Sequence, residues 1–375
     1  MNGVEIVGVG LHPFGRFGDT PATALGVAAV RAALADAGLT PTQAIGGIGA
    51  AFCATAYGGV ASGHRILGVL ANTGIPIIDV EAGCASGGAA LALAATSIRS
   101  GEHDTALVVG VEKMPKGIIR SSFFAPWQEE AGLSANPAYF ALRAQRLMHD
   151  HGLDVDDLAA LVVKNRRWGA RNPDAMFRTE VTADQVLASR MVCDPLRLWM
   201  LCSPNEGAAA VVLRRGLGGV QLDAAVLRSH LPGSVLNEST PLSGLADDQH
   251  IVPTTTLAAD DAYEEAGVGP SDLDVVECQD TDAGRELLSW YELHMCGAGD
   301  QRKLLQDDGA EPAVNRSGGL LSKGEPLGAS ALGQVVELVR QLRGQAGDRQ
   351  VAGARVGLAH TIGRGANASV TIVTR

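Results

Sequence analysis

The chain has 375 residues, 46% hydrophobic and 19% charged, enough for one large domain or two smaller ones with substantial cores. A formal net charge of −11 argues against non-specific nucleic-acid binding, which relies on a basic surface. No basic stretch followed by an apolar run suggests a secretory signal, and the most apolar window, 82–98, is short and too rich in small residues for a membrane span.

The first half alternates strand-like with helical runs. GVEIVGVGLHPFGRFGD reads as a strand entering a loop. TPATALGVAAVRAALADAGLT reads as a helix with Thr20 as N-cap, Pro21 in its first turn and Gly38 at its end. IPIIDV then predicts a strand, 84–101 a helix and TALVVGVE a strand. Residues 117–200 break this rhythm with aromatics, charges and helical pieces, and predict an inserted loop domain. EGAAAVVLRR predicts another strand.

The second half repeats the first. LDAAVLRSHL is a strand, TTTLAADDAYEEAGV a helix, LDVVECQD a strand and GEPLGASALGQVVELVRQLRG a helix, while ARVGLAH and ASVTIVT are a closing pair of strands. The strand, glycine and small-residue helix at 79–101 have a counterpart at 313–344. The expectation is two βαβαβ halves, 1–220 and 221–375, with sheets stacked around buried helices whose small residues permit close approach.

Six cysteines (Cys53, Cys84, Cys193, Cys202, Cys278 and Cys296) form no C-x-x-C pair, so neither a zinc ribbon nor a disulfide framework is indicated and a reduced, cytoplasmic protein is expected. Cys84 stands at the seam between IPIID and a helix of Ala, Gly, Ser and Leu. Unpaired N–H groups and the positive end of the helix dipole at such a seam favour thiolate, the form that acts as nucleophile. A small buried core residue is the alternative reading of Cys84, and core filling the reading of the other five.

EAGCASGGAALALAATSIRSGEHDTALVVGVEKM resembles the nucleophile segment of thiolases, in the branch similar to sterol carrier protein X. MLCSPNEGAAAVVL resembles the strand closing that family's first half. VNRSGGLLSKGEPLGASALGQ resembles its glycine-rich segment, and AHTIGRGANASVTIV its last active-site loop and final strand. The resemblance spans nearly the whole chain. It implies a thiolase fold, usually dimeric, an acyl-CoA substrate in lipid metabolism, coenzyme A as co-substrate with no bound cofactor or metal, and Cys84 as nucleophile.

Three positions depart from the family pattern. Glu325 in KGEPLG stands where thiolases carry a histidine, QDTD (279–282) stands where relatives carry HDCF or NEAF, and Leu358 falls on the second catalytic cysteine. A carboxylate accepts hydrogen bonds and takes up protons, but donates to an oxyanion only when protonated. The set implied by the resemblance is Cys84 as nucleophile, His360 as acid/base and oxyanion donor, and Glu325 tuning Cys84 or His360. Gln279 then orients water or donates a hydrogen bond. The N–H groups of Cys84 and Gly363 are expected to form an oxyanion hole, Gly318 and Gly319 to shape the cavity, and Asn315 to hold that turn.

Within VVKNRRWGARNPDAMFR, Lys164, Arg166, Arg167 and Arg171 cluster beside Trp168. They could meet the phosphates and adenine of CoA, or form a solvated helix face. The GEP and AHTIGRG variants also resemble thiolase-like proteins, among them benzoylsuccinyl-CoA thiolases and steroid side-chain retro-aldolases, that work with a small zinc-ribbon/OB-fold subunit. Three functions follow: a thiolase-type acyltransferase, an aldolase-type lyase using Glu325, His360 or Tyr291, and a non-catalytic acyl-CoA-binding subunit.

Overall fold

A computed structural model of the chain describes residues 3–40, 46–119, 126–132, 134–231, 251–306, 312–363 and 367–375. The first half comprises β1 (Val4–Gly15), α1 (Ala22–Asp36), β2 (Ala50–Ala54), α2 (Ser62–Leu70), β3 (Ile77–Val80), α3 (Ser86–Arg99) and β4 (Thr105–Lys113). The inserted region follows with α4 (Pro126–Glu130), α5 (Asn136–His151), α6 (Val155–Ala170), α7 (Ala183–Ala188) and the short pair β5 (Met191–Cys193) and β6 (Leu196–Arg197). β7 (Glu206–Arg215) then returns to the main sheet.

The second half runs β8 (Val220–Arg228), α8 (Thr254–Ala266), β9 (Val275–Cys278), α9 (Ala283–Glu292), α10 (Gln301–Gln306) and β10 (Ala313–Val314). It ends with α11 (Gly319–Lys323), α12 (Leu327–Leu342), β11 (Val356–Ile362) and β12 (Ala368–Thr374). Strand order is β10-β9-β11-β12-β8-β1-β7-β4-β2-β3, so β3-β2-β4-β7-β1 mirrors β10-β9-β11-β12-β8. The halves join edge to edge where Glu5 pairs with Gln221 and Ile6 with Val220.

Two small-residue helices lie between the halves. α3 packs on β2 and β4 of its own half and on β8 and β12 of the other, while α12 packs on β9 and β11 and on β4 and β7. Their shared core includes Ala90, Leu91, Leu332 and Val336. A Cβ on Gly110 would overlap the Gly328 carbonyl, so glycine there is a packing requirement, while one on Gly87 would lie a tight 3.1 Å from the Leu332 nitrogen.

Two local expectations need correction. α1 begins at Ala22 with Pro21 in the N-cap position and no side-chain cap, so Thr20 does not cap it. β2 and α2 were not anticipated, because AAFCA is a short, wholly buried run without alternation. Among the described residues no helix is long and apolar enough to cross a membrane.

Candidate active site

Cys84 lies in the single 3-10 turn Gly83–Ala85 that turns β3 into α3. Gly83 takes φ +59°, and Ser86 holds the turn by accepting the Ala82 N–H at 2.8 Å and donating to the Gly83 carbonyl at 2.6 Å. The half-buried thiol opens into a cavity of about 810 Å³ shared with Cys202, Gln279 and Glu325 and walled by apolar groups such as Phe140, Trp199 and Ile362.

Glu325, in the link between α11 and α12, is fixed by its N–H bond to the Ser203 carbonyl (2.9 Å). Its carboxylate is held from both sides: Gln279 Nε2 donates to Oε1 at 3.0 Å, and the Cys202 thiol donates to Oε2 at 3.2 Å. Gln279 is oriented in turn, because its Oε1 accepts the Ile362 N–H at 2.9 Å. Burial, and then the Glu325 charge, push the Cys202 thiol well above the usual range, so it stays protonated. The Tyr57 phenol is likewise raised, first by burial and then by Glu112.

Cys202 overturns the expectation that it merely fills core, and the site has a second thiol after all. That thiol comes from the segment before β7, 123 residues from its partner Glu325, rather than from the last loop. Leu358, at the family's cysteine position, is buried in the hydrophobic core.

His360 is not brought to this cavity. In β11, Leu358, His360 and Ile362 share one face, and the fully buried imidazole meets Thr255 Oγ1 through Nε2 at 3.0 Å. Its Nδ1 has no hydrogen-bond partner, and burial and then the Arg285 charge hold its pKa well below the ordinary histidine value. The imidazole is thus held neutral, and among the described residues Glu325 rather than His360 contacts Cys202 and Gln279. The opposite face of the strand meets α12, where Thr361 Oγ1 donates to Gln334 at 2.7 Å.

Gly363 donates its N–H to the Asn367 carbonyl at 2.9 Å, which commits that amide to the turn instead of an oxyanion hole. Residues 364–366 of the same loop lie outside those described. Gly318 and Gly319 stand behind the cavity lining. At φ +91° and +62° they let the backbone close on Gly169 and on the Asp280 carboxylate. Asp280 accepts from Leu320 N (2.5 Å), Leu321 N (3.0 Å) and Asn165 Nδ2 (2.9 Å). Asn315, at φ +51°, accepts the Cys278 N–H at 3.0 Å and receives the Gly318 N–H on its carbonyl. Asp282 caps α9 and forms an ion pair with buried Arg143 at 2.5 Å.

The basic cluster divides. Arg166 faces the cavity. Lys164 pairs with Glu286 at 2.5 Å, and Trp168, flanked by Arg167, Arg171 and Arg316, lies on another side of α6.

Two thiols, a carboxylate and an amide thus line one largely apolar cavity at the seam of a doubled βαβαβ fold. Residues 4–216 match the family model "Thiolase, N-terminal domain" and residues 243–375 match "Thiolase C-terminal domain-like". The chain belongs to the thiolase family, and with it to the acyl-CoA acyltransferase class of enzymes. It is 35% identical to the "Acetyl-CoA acetyltransferase" of Methanothermobacter thermautotrophicus over the full length of both. It is 34% identical to "Sterol carrier protein 2" of Homo sapiens, covering 98% of this chain and 71% of that protein. It is 33% identical to "Benzoylsuccinyl-CoA thiolase subunit BbsB" of Thauera aromatica, covering 98% and 96%. The solved "Ltp2-ChsH2(DUF35) aldolase" shares the fold with a TM-score of 0.82 at 22% identity, covering 99% of this chain and 97% of that one. Human mitochondrial 3-ketoacyl-CoA thiolase in complex with CoA does so at 0.72 and 17%, covering 100% and 98%.

Proposed function

We propose that the protein is a thiolase that cleaves or forms β-ketoacyl-CoA through an acyl-Cys84 intermediate, with coenzyme A as acyl acceptor. The observation that carries this reading is the opening of Cys84 into the same cavity as the Cys202–Glu325–Gln279 chain. In the cleavage direction Glu325 takes the Cys84 proton while the sulfur bonds to the β-carbonyl carbon. The Cα–Cβ bond then breaks, its electron pair stays on the α-carbon, and Cys202 protonates that carbon and recovers a proton from Glu325. The thiol of CoA attacks the acyl group next, and Cys84 leaves with that thiol's proton. The Cys84 N–H and the second N–H of Gln279 serve the developing oxyanion.

Exposed Arg178 and Arg190, which also line the cavity, are suited to the CoA phosphates. The two halves, 1–220 and 221–375, build this site jointly, since Cys84 and Cys202 come from one and Gln279 and Glu325 from the other. A homodimer is proposed because β3 ends the sheet as an edge strand with Ile78 45% exposed. A small zinc-ribbon/OB-fold subunit is a further proposed partner. It is supported by the word "subunit" in the name of the Thauera aromatica relative and by the two-component description of the aldolase neighbour.

A second reading, a carbon–carbon lyase on the same site, is favoured by one observation: a carboxylate, Glu325, lines the cavity and His360 does not. Dependence on free CoA separates the two. Thiolysis requires CoA and yields two CoA thioesters, whereas a lyase splits its substrate without added CoA and releases a free carbonyl compound. CoA-independent turnover would reject the thiolase reading.

A further inference from the structure

The described residues include four buried arginines: Arg143, Arg166, Arg285 and Arg349. Three have carboxylate partners: Arg143 with Asp282, Arg285 with Glu292 and Arg349 with Glu337. Arg166 has none. It is 7% exposed, its Nε lacks any hydrogen-bond partner, and its one close interaction is the face of Phe177, 4.3 Å from the guanidinium carbon to the ring centroid. Burial alone lowers this guanidinium, to about 10, with no acid acting against it. A buried cation without a partner is costly, and such a group persists where a ligand supplies the missing charge.

The side chain lines the same cavity as Cys84 and Glu325. Its position is set from the catalytic side: Phe177 N–H donates to the Ser322 carbonyl at 2.9 Å, and Ser322 Oγ donates to the Asn165 carbonyl at 3.0 Å, three residues before Glu325. Met176, next to the stacked ring, receives Asn205 Nδ2 at 3.6 Å, and Asn205 also binds the Lys323 carbonyl at 2.8 Å. Arg166 thus lines the cavity as a buried side chain on the segment linked to the helix before Glu325, whereas Arg178 and Arg190 line it as exposed ones.

We propose that Arg166 binds a carboxylate carried by the acyl part of the substrate, so that the enzyme acts on acidic rather than purely aliphatic acyl-CoA esters. The proposal rests on the acyl-CoA reading above. A planar guanidinium stacked on an aromatic ring keeps its N–H fork free for bidentate carboxylate binding, which lysine at this position would not reproduce.

The test is calorimetric titration of Cys84→Ala protein with succinyl-CoA and butyryl-CoA, esters of equal chain length that differ in the terminal carboxylate. Succinyl-CoA should bind about tenfold or more tighter, as one charge-assisted pair contributes. Adding Arg166→Met should abolish that preference while leaving butyryl-CoA within about threefold, and Arg166→Lys should restore only part of it. Because no native partner is lost, Arg166→Met should melt at or above the temperature of its parent. Equal affinities for the two esters overturn the proposal. So does an equal loss of both on Arg166→Met, which would assign the guanidinium to a phosphate of CoA, and so does a lowered melting temperature with both ligands lost. Absence of binding by either ester overturns the acyl-CoA reading itself.

Discussion

In the proposed mechanism Cys202 and Glu325, in contact at 3.2 Å, act as a proton-transfer pair. The thiol is kept protonated by burial and by the carboxylate it donates to, which suits it to the acid role proposed for it. Cys202→Ala should lower kcat by about 10²–10⁴-fold, the usual contribution of a positioned acid or base, with KM changed little. Glu325→Gln should do the same by removing the acceptor for the Cys84 proton. Steady-state thiolysis kinetics read both, and activity within twofold of the parent would remove the pair from the mechanism. His360 makes a different prediction. Its folded pKa is depressed, so the stability it confers is complete above the unfolded value of about 6.5 and is lost as pH falls toward the folded value. His360→Gln should therefore flatten the acid limb of stability by up to about 1.4 kcal/mol per pH unit below pH ~6.5, measured by denaturant melts from pH 7 to 5. Because the imidazole lies outside the cavity, the variant should retain thiolysis, and an abolished kcat in a folded variant would return His360 to the mechanism.

At the scale of elements, the site depends on turns that only particular residues can make. Gly319 combines φ +62° with a Cβ position that would overlap the Asp280 carboxylate, the group that accepts the first N–H bonds of α11. Gly319→Ala should cost about 2 kcal/mol or more, from left-handed strain and loss of that contact, and should slow turnover by displacing Glu325. Denaturant unfolding checks this, and a neutral effect would show that α11 does not hold the site. The same scale explains what could be read from sequence. The seam at Cys84 was legible because a strand, a glycine and a small-residue helix follow one another in order. Cys202 was not, because its meaning arises from a contact across 123 residues that no local pattern records. His360 ends the strand-like run ARVGLAH, while the resemblance assigns the same residues to an active-site loop. Alternation along β11 puts it on the face of buried Leu358, and that signal was available. Likewise Arg166 and Arg167 are neighbours in sequence but about 100° apart around α6, so one can face the cavity and the other cannot.

For the whole molecule, the pseudo-repeat carried the architecture, while the joining of the two sheets through a short β1–β8 pairing depends on register that composition does not encode. Among the described residues β3 ends the sheet, and its half exposes Ile78, Val60 and Val69. Sedimentation velocity should find a dimer, and Ile78→Lys should shift it toward monomer. A monomeric parent would instead leave that surface to another partner. The central claim, however, is chemical: Cys84 carries the acyl group. Intact-protein mass after incubation with β-ketoacyl-CoA esters, in the parent and in Cys84→Ala, tests it most directly. The parent should gain the mass of one acyl group, removed by added CoA, and the variant should gain nothing. No adduct in the parent, with cleavage surviving in Cys84→Ala, would contradict the account.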